Sequence, residues 1–376
     1  MIYFLYRSYN PGTAATNRSI AYLREIDKMG VAVTVVYFQA NRNRDYVLEH
    51  FRNIEFNYCW ERFKTNNYFL KYIIYFFNVL LFLNKLNDGD IVYLYEVEDL
   101  IYLLTAKKGV KVFLEKTECP DVLIGDTRLH KLSVEKYIEE VKRCDGIIVI
   151  SSNLRDYFIN KGVDDNKIHI INMIVDATRF NGVEKDNSVE RSIVYCGSGM
   201  NTKDGLDDLI KSFKIVADKY KDVKLYIIGE KPDGEILNSP MKLVKDYGIN
   251  DRVVFTGTKR PEEMPQILVN ATLLALARPD NLQAKYGFPT KLGEYLLSSN
   301  PVVITSVGNI SDFLTDKVDA LIVPPNNPEA FAERIAWVLE NSAESERIGK
   351  NGKVVAMNSF NASIESKKMI DVILNS

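Results

Sequence analysis

The sequence predicts an α/β protein built from two doubly wound parallel sheets. Three observations carry that expectation. The chain's 376 residues amount to about two and a half times a common domain length of ~150. Short β-rich runs alternate with helical patterns, as in a sheet whose parallel strands are joined by crossover helices. The alternation also stops near residue 185 and begins afresh beyond it.

Ile2-Tyr3-Phe4-Leu5-Tyr6 reads as a first strand, because it is too short for the core of a secretory leader and has no basic residues before it. A helical pattern follows over 14–29, then strands over 31–38, 91–95, 110–114, 146–150 and 169–171. Residues 68–83 are almost wholly apolar and aromatic, interrupted by Lys71 and Asn78. That run is shorter than the roughly 20 residues of a bilayer span. Two readings stand for it: a helix buried in the fold or lining a groove, or a helix on a membrane surface with Arg62, Lys64 and Lys71 toward anionic headgroups. In the second half, strands are expected over 192–196, 224–228, 253–255, 272–277, 301–305 and 320–323. Residues 172–185 carry Asp176, Asn181 and Gly182 without periodicity and read as a short linker. The domains are therefore placed at 1–175 and 186–362, with 363–376 as a last helix that is a candidate to cross back to the first domain.

Composition narrows the function classes. With 46% hydrophobic and 26% charged residues the chain is globular. Its 48 basic residues nearly cancel 50 acidic ones, which leaves no electrostatic footprint for a nucleic acid. Four scattered cysteines without a CxxC pair and three histidines give neither a disulfide framework nor a zinc cluster, and point to a reducing, cytoplasmic setting. Asp88-Gly89-Asp90 precedes a strand and reads as the turn leading into it rather than as a metal site.

Ligands of open α/β sheets bind outside the carboxyl ends of strands, so three loops are candidates. The first, Tyr9-Asn10-Pro11-Gly12-Thr13, opens a helix, and Gly12 would let an anion approach backbone N–H groups, although an ordinary strand-to-helix turn looks the same. The second runs from Tyr195 through Gly197, Ser198 and Gly199 to Lys203, ahead of an amphipathic helix, and suits a diphosphate if Lys203 is more than a solvated turn residue. In the third, Arg278 and the stretch Tyr286-Gly287-Phe288-Pro289-Thr290-Lys291 lead into a helix carrying Glu294. Backbone amides of Thr290 and Lys291 sit where an anion would be held, and the Glu294 carboxylate can accept hydrogen bonds from vicinal ribose hydroxyls or simply serve as an ion pair.

The order of these pieces resembles the retaining GT-B glycosyltransferases of family 4, in particular bacterial capsule and exopolysaccharide enzymes. The resemblance is sharpest from about Val149. It rests on Ile150-Ser151-Ser152, on Ile170-Ile171-Asn172 with Asp176 and Phe180, on Gly197 with Lys203, on Phe255-Thr256-Gly257-Thr258, on Gly287-Phe288 with Glu294, and on Pro301-Val302-Val303. Two positions depart from the family pattern: Tyr286 stands at the first glutamate of the Glu-x7-Glu motif, and Ser198 at an arginine that follows the glycine. The resemblance implies two Rossmann-like domains facing across a cleft, the first on the acceptor side and the second holding the nucleotide-sugar donor. It further implies a metal-independent hexosyltransferase of retaining type that needs no cofactor and uses a nucleoside diphosphate sugar as co-substrate.

Donor contacts are then expected from Gly12, Gly197, Ser198, Lys203, Thr258, Arg278, Tyr286, Gly287, Phe288, Thr290, Lys291 and Glu294. Lys203 would stabilise the leaving diphosphate, and Glu115 or Glu118, after the strand at 110–114, would orient or deprotonate the acceptor hydroxyl. The acceptor would be a saccharide or a lipid-linked one at the inner face of the cytoplasmic membrane, with peripheral contact through 62–83. The alternative is a catalytically impaired nucleotide-sugar-binding protein of the same fold, motivated by Tyr286 and Ser198. An epimerase reading lacks paired acids or histidines near the site.

Overall fold

The computed structural model describes residues 1–9, 13–38, 51–59, 67–123, 133–186, 188–197, 199, 201–229 and 237–376. They divide into two compact units, one formed by Met1–Asn172 with Ala362–Ser376 and the other by Met173–Asn361.

The first unit is a seven-stranded sheet in the order β3-β2-β1-β4-β5-β6-β7. Its strands are β1 (Ile2–Tyr6), β2 (Val33–Tyr37), β3 (Ile54–Tyr58), β4 (Ile91–Tyr95), β5 (Lys111–Lys116), β6 (Gly146–Val149) and β7 (Ile168–Ile170). All neighbours are parallel. The strand order therefore reverses between β1 and β4. The central strands are runs of Val, Ile, Leu and aromatic residues because helices cover both faces of a parallel sheet. β3 is the strand that periodicity did not foresee: it is an edge strand, and Glu55 and Asn57 break its apolar run.

Helix α1 (Ala14–Lys28) starts at Thr13, whose hydroxyl accepts from the Thr16 N–H. Helix α2 (Tyr68–Lys85) is capped by Asn67, which accepts from Phe69 N and Leu70 N. Its inner side sets Phe82 edge-on to Tyr3 and Phe38, at 5.3 and 5.8 Å between ring centres. At Asp88–Asp90 the structure forms a turn, in which Asp90 Oδ2 accepts from Asn87 N at 2.8 Å.

The second unit is a six-stranded parallel sheet in the order β10-β9-β8-β11-β12-β13. Its strands are β8 (Ser192–Gly197), β9 (Lys224–Gly229), β10 (Val253–Gly257), β11 (Leu273–Leu276), β12 (Val302–Thr305) and β13 (Leu321–Val323). The order reverses between β8 and β11. Helices α3 (Leu206–Lys219), α4 (Lys291–Leu297) and α5 (Ser342–Ser359) belong to this unit, and α6 (Ala362–Asn375) packs along α1 in the first.

The stretch expected as a linker is not one. Met173, Ile174 and Val175 are buried, and Val175 N donates to Phe360 O at 2.9 Å. Lys185 Nζ donates to Ala271 O and Asn300 Oδ1, both at 2.9 Å. Residues 173–185 are thus docked on the second unit, and the chain leaves the first unit at Asn172.

Candidate functional site

The second unit gathers its polar residues at the carboxyl end of β8, where the strand order reverses and open α/β sheets take their ligands. Gly197 ends β8, and a Cβ there would lie 2.2 Å from Lys291 Nζ and 2.4 Å from the Tyr195 hydroxyl. Only glycine leaves this space to the side chains. Within it the Tyr195 hydroxyl donates to Asp204 Oδ2 at 2.6 Å, Lys291 Nζ pairs with Asp204 Oδ1 at 2.7 Å, and Gly199 N donates to the Tyr195 hydroxyl at 3.1 Å. The Lys291 ammonium also stands 4.9 Å from the centre of the Tyr195 ring. Gly205, with φ at +66°, turns the chain into α3 so tightly that a Cβ would meet Ala277 O at 1.9 Å.

Electrostatics follow from burial. Desolvation by itself would raise the Asp204 carboxyl, but the Lys291 ammonium and the hydrogen bonds from Lys291 and Tyr195 outweigh it and hold the pKa below the usual carboxylate value. Burial pulls the Lys291 pKa below that of an ordinary lysine, against the opposing pull of Asp204. The arrangement is therefore a positioned cation beside the glycine that ends β8.

Around this centre, Arg278 follows β11 and sends Nε to Lys203 O at 3.2 Å, while its own carbonyl accepts from the Thr305 hydroxyl. Thr258, after β10, donates to Gly229 O at 2.8 Å. Glu294, in the first turn of α4, is hydrogen-bonded by Arg179, whose other guanidinium nitrogen reaches Pro261 O at 2.6 Å. Thr290 precedes the first residue of α4. Gly287 closes the short helix Leu282–Tyr286, and the Tyr286 ring lies under Lys285 Nζ at 5.3 Å.

Several expected site residues stand elsewhere. Phe288 is a core residue, with its ring packed on Phe313 and Phe360 at 5.4 Å each, and so is not open to a donor. Lys291 places its ammonium against Gly197. Gly12 and Ser198 lie outside the described residues.

In the first unit, Glu115 is sealed in the core and bonded to Arg18 Nε and the Tyr93 hydroxyl. The acceptor-side role expected of it is corrected to a structural ion pair, because a carboxylate so enclosed meets no acceptor hydroxyl. Glu118 is half-buried in the segment after β5. Arg18 also donates to Asn172 O at 2.8 Å and Ile171 O at 3.1 Å, and Glu365 of α6 accepts from Asn172 N at 2.7 Å. Among the described residues no group of three His, Cys, Asp or Glu side chains is placed to hold a metal ion.

Sequence reasoning missed Tyr195, Asp204 and Arg179. The first two flank Gly197 in the very loop that was singled out, so their polarity next to a glycine at a strand end was a usable signal. Arg179 had none, since it reaches Glu294 only through tertiary structure.

This geometry lies within a recognisable region. Residues 181–355 match the family of glycosyl transferases group 1. The matched region therefore contains Tyr195, Gly197, Asp204, Lys291 and Glu294 and the whole of the second sheet, while Arg179 lies just before it. Mannosylfructose-phosphate synthase of Agrobacterium fabrum is 28% identical over 179 residues, covering 46% of this chain and 37% of its own. The capsular polysaccharide biosynthesis glycosyltransferase CapM of Staphylococcus aureus is 24% identical over 250 residues, covering 65% of this chain and 58% of its own. The chain thus spans less than two thirds of either relative.

Two solved structures share the fold at 15–16% identity. Sucrose-phosphate synthase from Thermosynechococcus elongatus superposes with a TM-score of 0.78 over 100% of this chain and 98% of its own. HepE of Anabaena, in complex with UDP and glucose, superposes with a TM-score of 0.76 over 100% and 99%. The two Rossmann-like units are those of the GT-B fold.

Proposed function

We propose that the protein is a glycosyltransferase that moves a sugar from a nucleoside diphosphate sugar to an acceptor hydroxyl. The observation that carries this is the buried Lys291–Asp204–Tyr195 cluster against Gly197 at the strand-order reversal of the group 1 region. Negative charge develops on the leaving diphosphate as the glycosidic bond breaks, and a fixed cation with N–H dipoles stabilises it there. Lys291 supplies the fixed cation, held by Asp204 before the donor arrives, and Lys203 supplies a second one from the helical turn Asn201–Asp204. Arg179 fixes the Glu294 carboxylate, which retains acceptor capacity for a pair of ribose hydroxyls. Similarity to a structure holding UDP and glucose supports a nucleotide-sugar donor.

In finer detail, the proposed reaction is a metal-independent, retaining transfer of a hexosyl group in polysaccharide or glycolipid synthesis. Similarity to a capsular polysaccharide glycosyltransferase supports that role. Calorimetry against UDP, GDP, ADP and CMP, repeated with a chelator, tests the donor site. One nucleotide is expected to bind with or without chelator, and Lys291→Met is expected to weaken it about tenfold or more, as loss of a charge-assisted hydrogen bond implies. Glu294→Gln is expected to weaken the nucleoside part of the same ligand. Unchanged affinity in both variants overturns the assignment.

Tyr286 at the first motif glutamate favours a second reading, a nucleotide-sugar-binding protein without turnover. Donor hydrolysis and transfer assays separate the two.

A further inference from the structure

We propose that the outer face of α2 is a docking surface for an anionic phospholipid bilayer. Phe69, Tyr72, Ile73, Phe76, Phe77 and Leu80, with two further leucines, are between 42 and 70% exposed. Their spacing keeps them on one broad side of the helix, while Val79 and Phe82 turn inward onto the sheet. At ~200 Å² per large side chain, the exposed apolar area is on the order of 800 Å², beyond the largest patch of a typical monomer. No helix among the described residues is long and apolar enough to cross a membrane. α2 instead lies flat, anchored from beneath by Phe82 against Tyr3 and Phe38.

Charge decides between the possible occupants. The 18 residues of α2 include no Asp or Glu, and exposed Lys71 and Lys85 stand near its two ends. Lys107 adds a third cation, with Nζ on Leu83 O. Asp99, the acid that meets this helix through the Tyr75 hydroxyl, is ion-paired with Arg7. A second copy laid antiparallel on this face would bring lysine ends together with no helix acid to receive them, and like charges at an interface are unfavourable. Anionic headgroups satisfy the same lysines while the aromatic rings enter the interfacial layer. The surface deepens the proposed function by pointing to an acceptor carried on a lipid, but membrane docking stands on the face of α2 and not on the donor site.

The test is flotation of the full chain with phosphatidylcholine vesicles, with and without phosphatidylglycerol. The protein is expected to float with the anionic vesicles at least about tenfold more strongly than with the neutral ones. Ile73→Asp/Phe77→Asp is expected to stay unbound at an unchanged melting temperature, and Lys71→Glu/Lys85→Glu to lose the preference for phosphatidylglycerol. Should a variant fail to fold, hydrogen exchange of the unsubstituted chain is expected to slow over 68–85 when anionic vesicles are added. No flotation with either vesicle, flotation untouched by the aspartates, or self-association abolished by them in the absence of vesicle binding overturns the proposal. Donor calorimetry on the same preparations distinguishes its failure from failure of the donor-site reading.

Discussion

Lys291 and Asp204 come from different elements and meet beside Gly197, and each depends on the other. Because Asp204 raises the Lys291 pKa against burial, Asp204→Asn is expected to shift the alkaline limb of donor binding to lower pH while leaving its shape intact. Calorimetry across pH reads this directly, and an unmoved limb removes Asp204 as the positioning residue. The depressed Asp204 pKa has its own sign: its stabilisation is fully present above the unfolded carboxyl value and disappears as pH falls through the folded one, below about pH 4. The second unit of the Asn variant should therefore lose part of its acid sensitivity. In the first unit, Glu115→Gln leaves the Arg18 guanidinium buried without its counter-charge, and a cost of about 3–5 kcal/mol is expected in denaturant melts, with donor affinity unchanged. Retained stability with abolished turnover would restore Glu115 to the chemistry. Gly197, Lys291 and Glu294 were singled out because glycine at a strand end and charges at a helix start are local signals. Glu115 was misread because a polar residue ending a β-strand looks the same in sequence whether it faces solvent or an arginine across the sheet.

At the scale of elements, the strands were legible wherever they were continuous apolar runs, and their bounds shifted by a residue or two. The edge strand β3 was not, since an edge tolerates Glu55 and Asn57 where a central strand does not. Residues 68–83 were expected as a helix, either buried or lining a groove or on a membrane surface, and only tertiary structure shows that Val79 and Phe82 turn inward while much of the other side stays open. Helix α4, which carries Lys291 and Glu294, is held from behind by α5. There Gly349 approaches the chain so closely that a Cβ would lie 2.2 Å from Ser299 O. Alanine normally stabilises an exposed helix interior by up to ~1 kcal/mol over glycine. Here Gly349→Ala is expected instead to destabilise by about 1–3 kcal/mol and to weaken donor binding by displacing α4. A thermal melt paired with calorimetry checks both parts, and a stabilised variant with normal affinity contradicts them.

For the whole molecule, two sheets and their restart past residue 185 were legible from rhythm, whereas the point of exit was not. Residues 173–185 look like linker because they lack periodicity, and they are fixed instead by single contacts such as Lys185 on Asn300. The first unit is completed by α6, which buries Met369, Ile370 and Ile373 and sends Glu365 to Asn172. Removing residues 362–376 is expected to lower the melting temperature of the first unit, at about 1.5–3 kcal/mol per large side chain uncovered, and to spare the second. Calorimetric scanning that shows both transitions falling together contradicts this. Within the second unit its two ends meet, where Val175 pairs with Phe360 and Asn361. One unit is thus an uninterrupted stretch of chain, and the other is assembled from two pieces that flank it. On the ribosome this reverses the order of birth and completion: the sheet made first must wait, with α1 uncovered, until the whole second unit has emerged and α6 arrives. A stall anywhere in that interval leaves the nascent first unit dependent on chaperones while its younger neighbour is already folded.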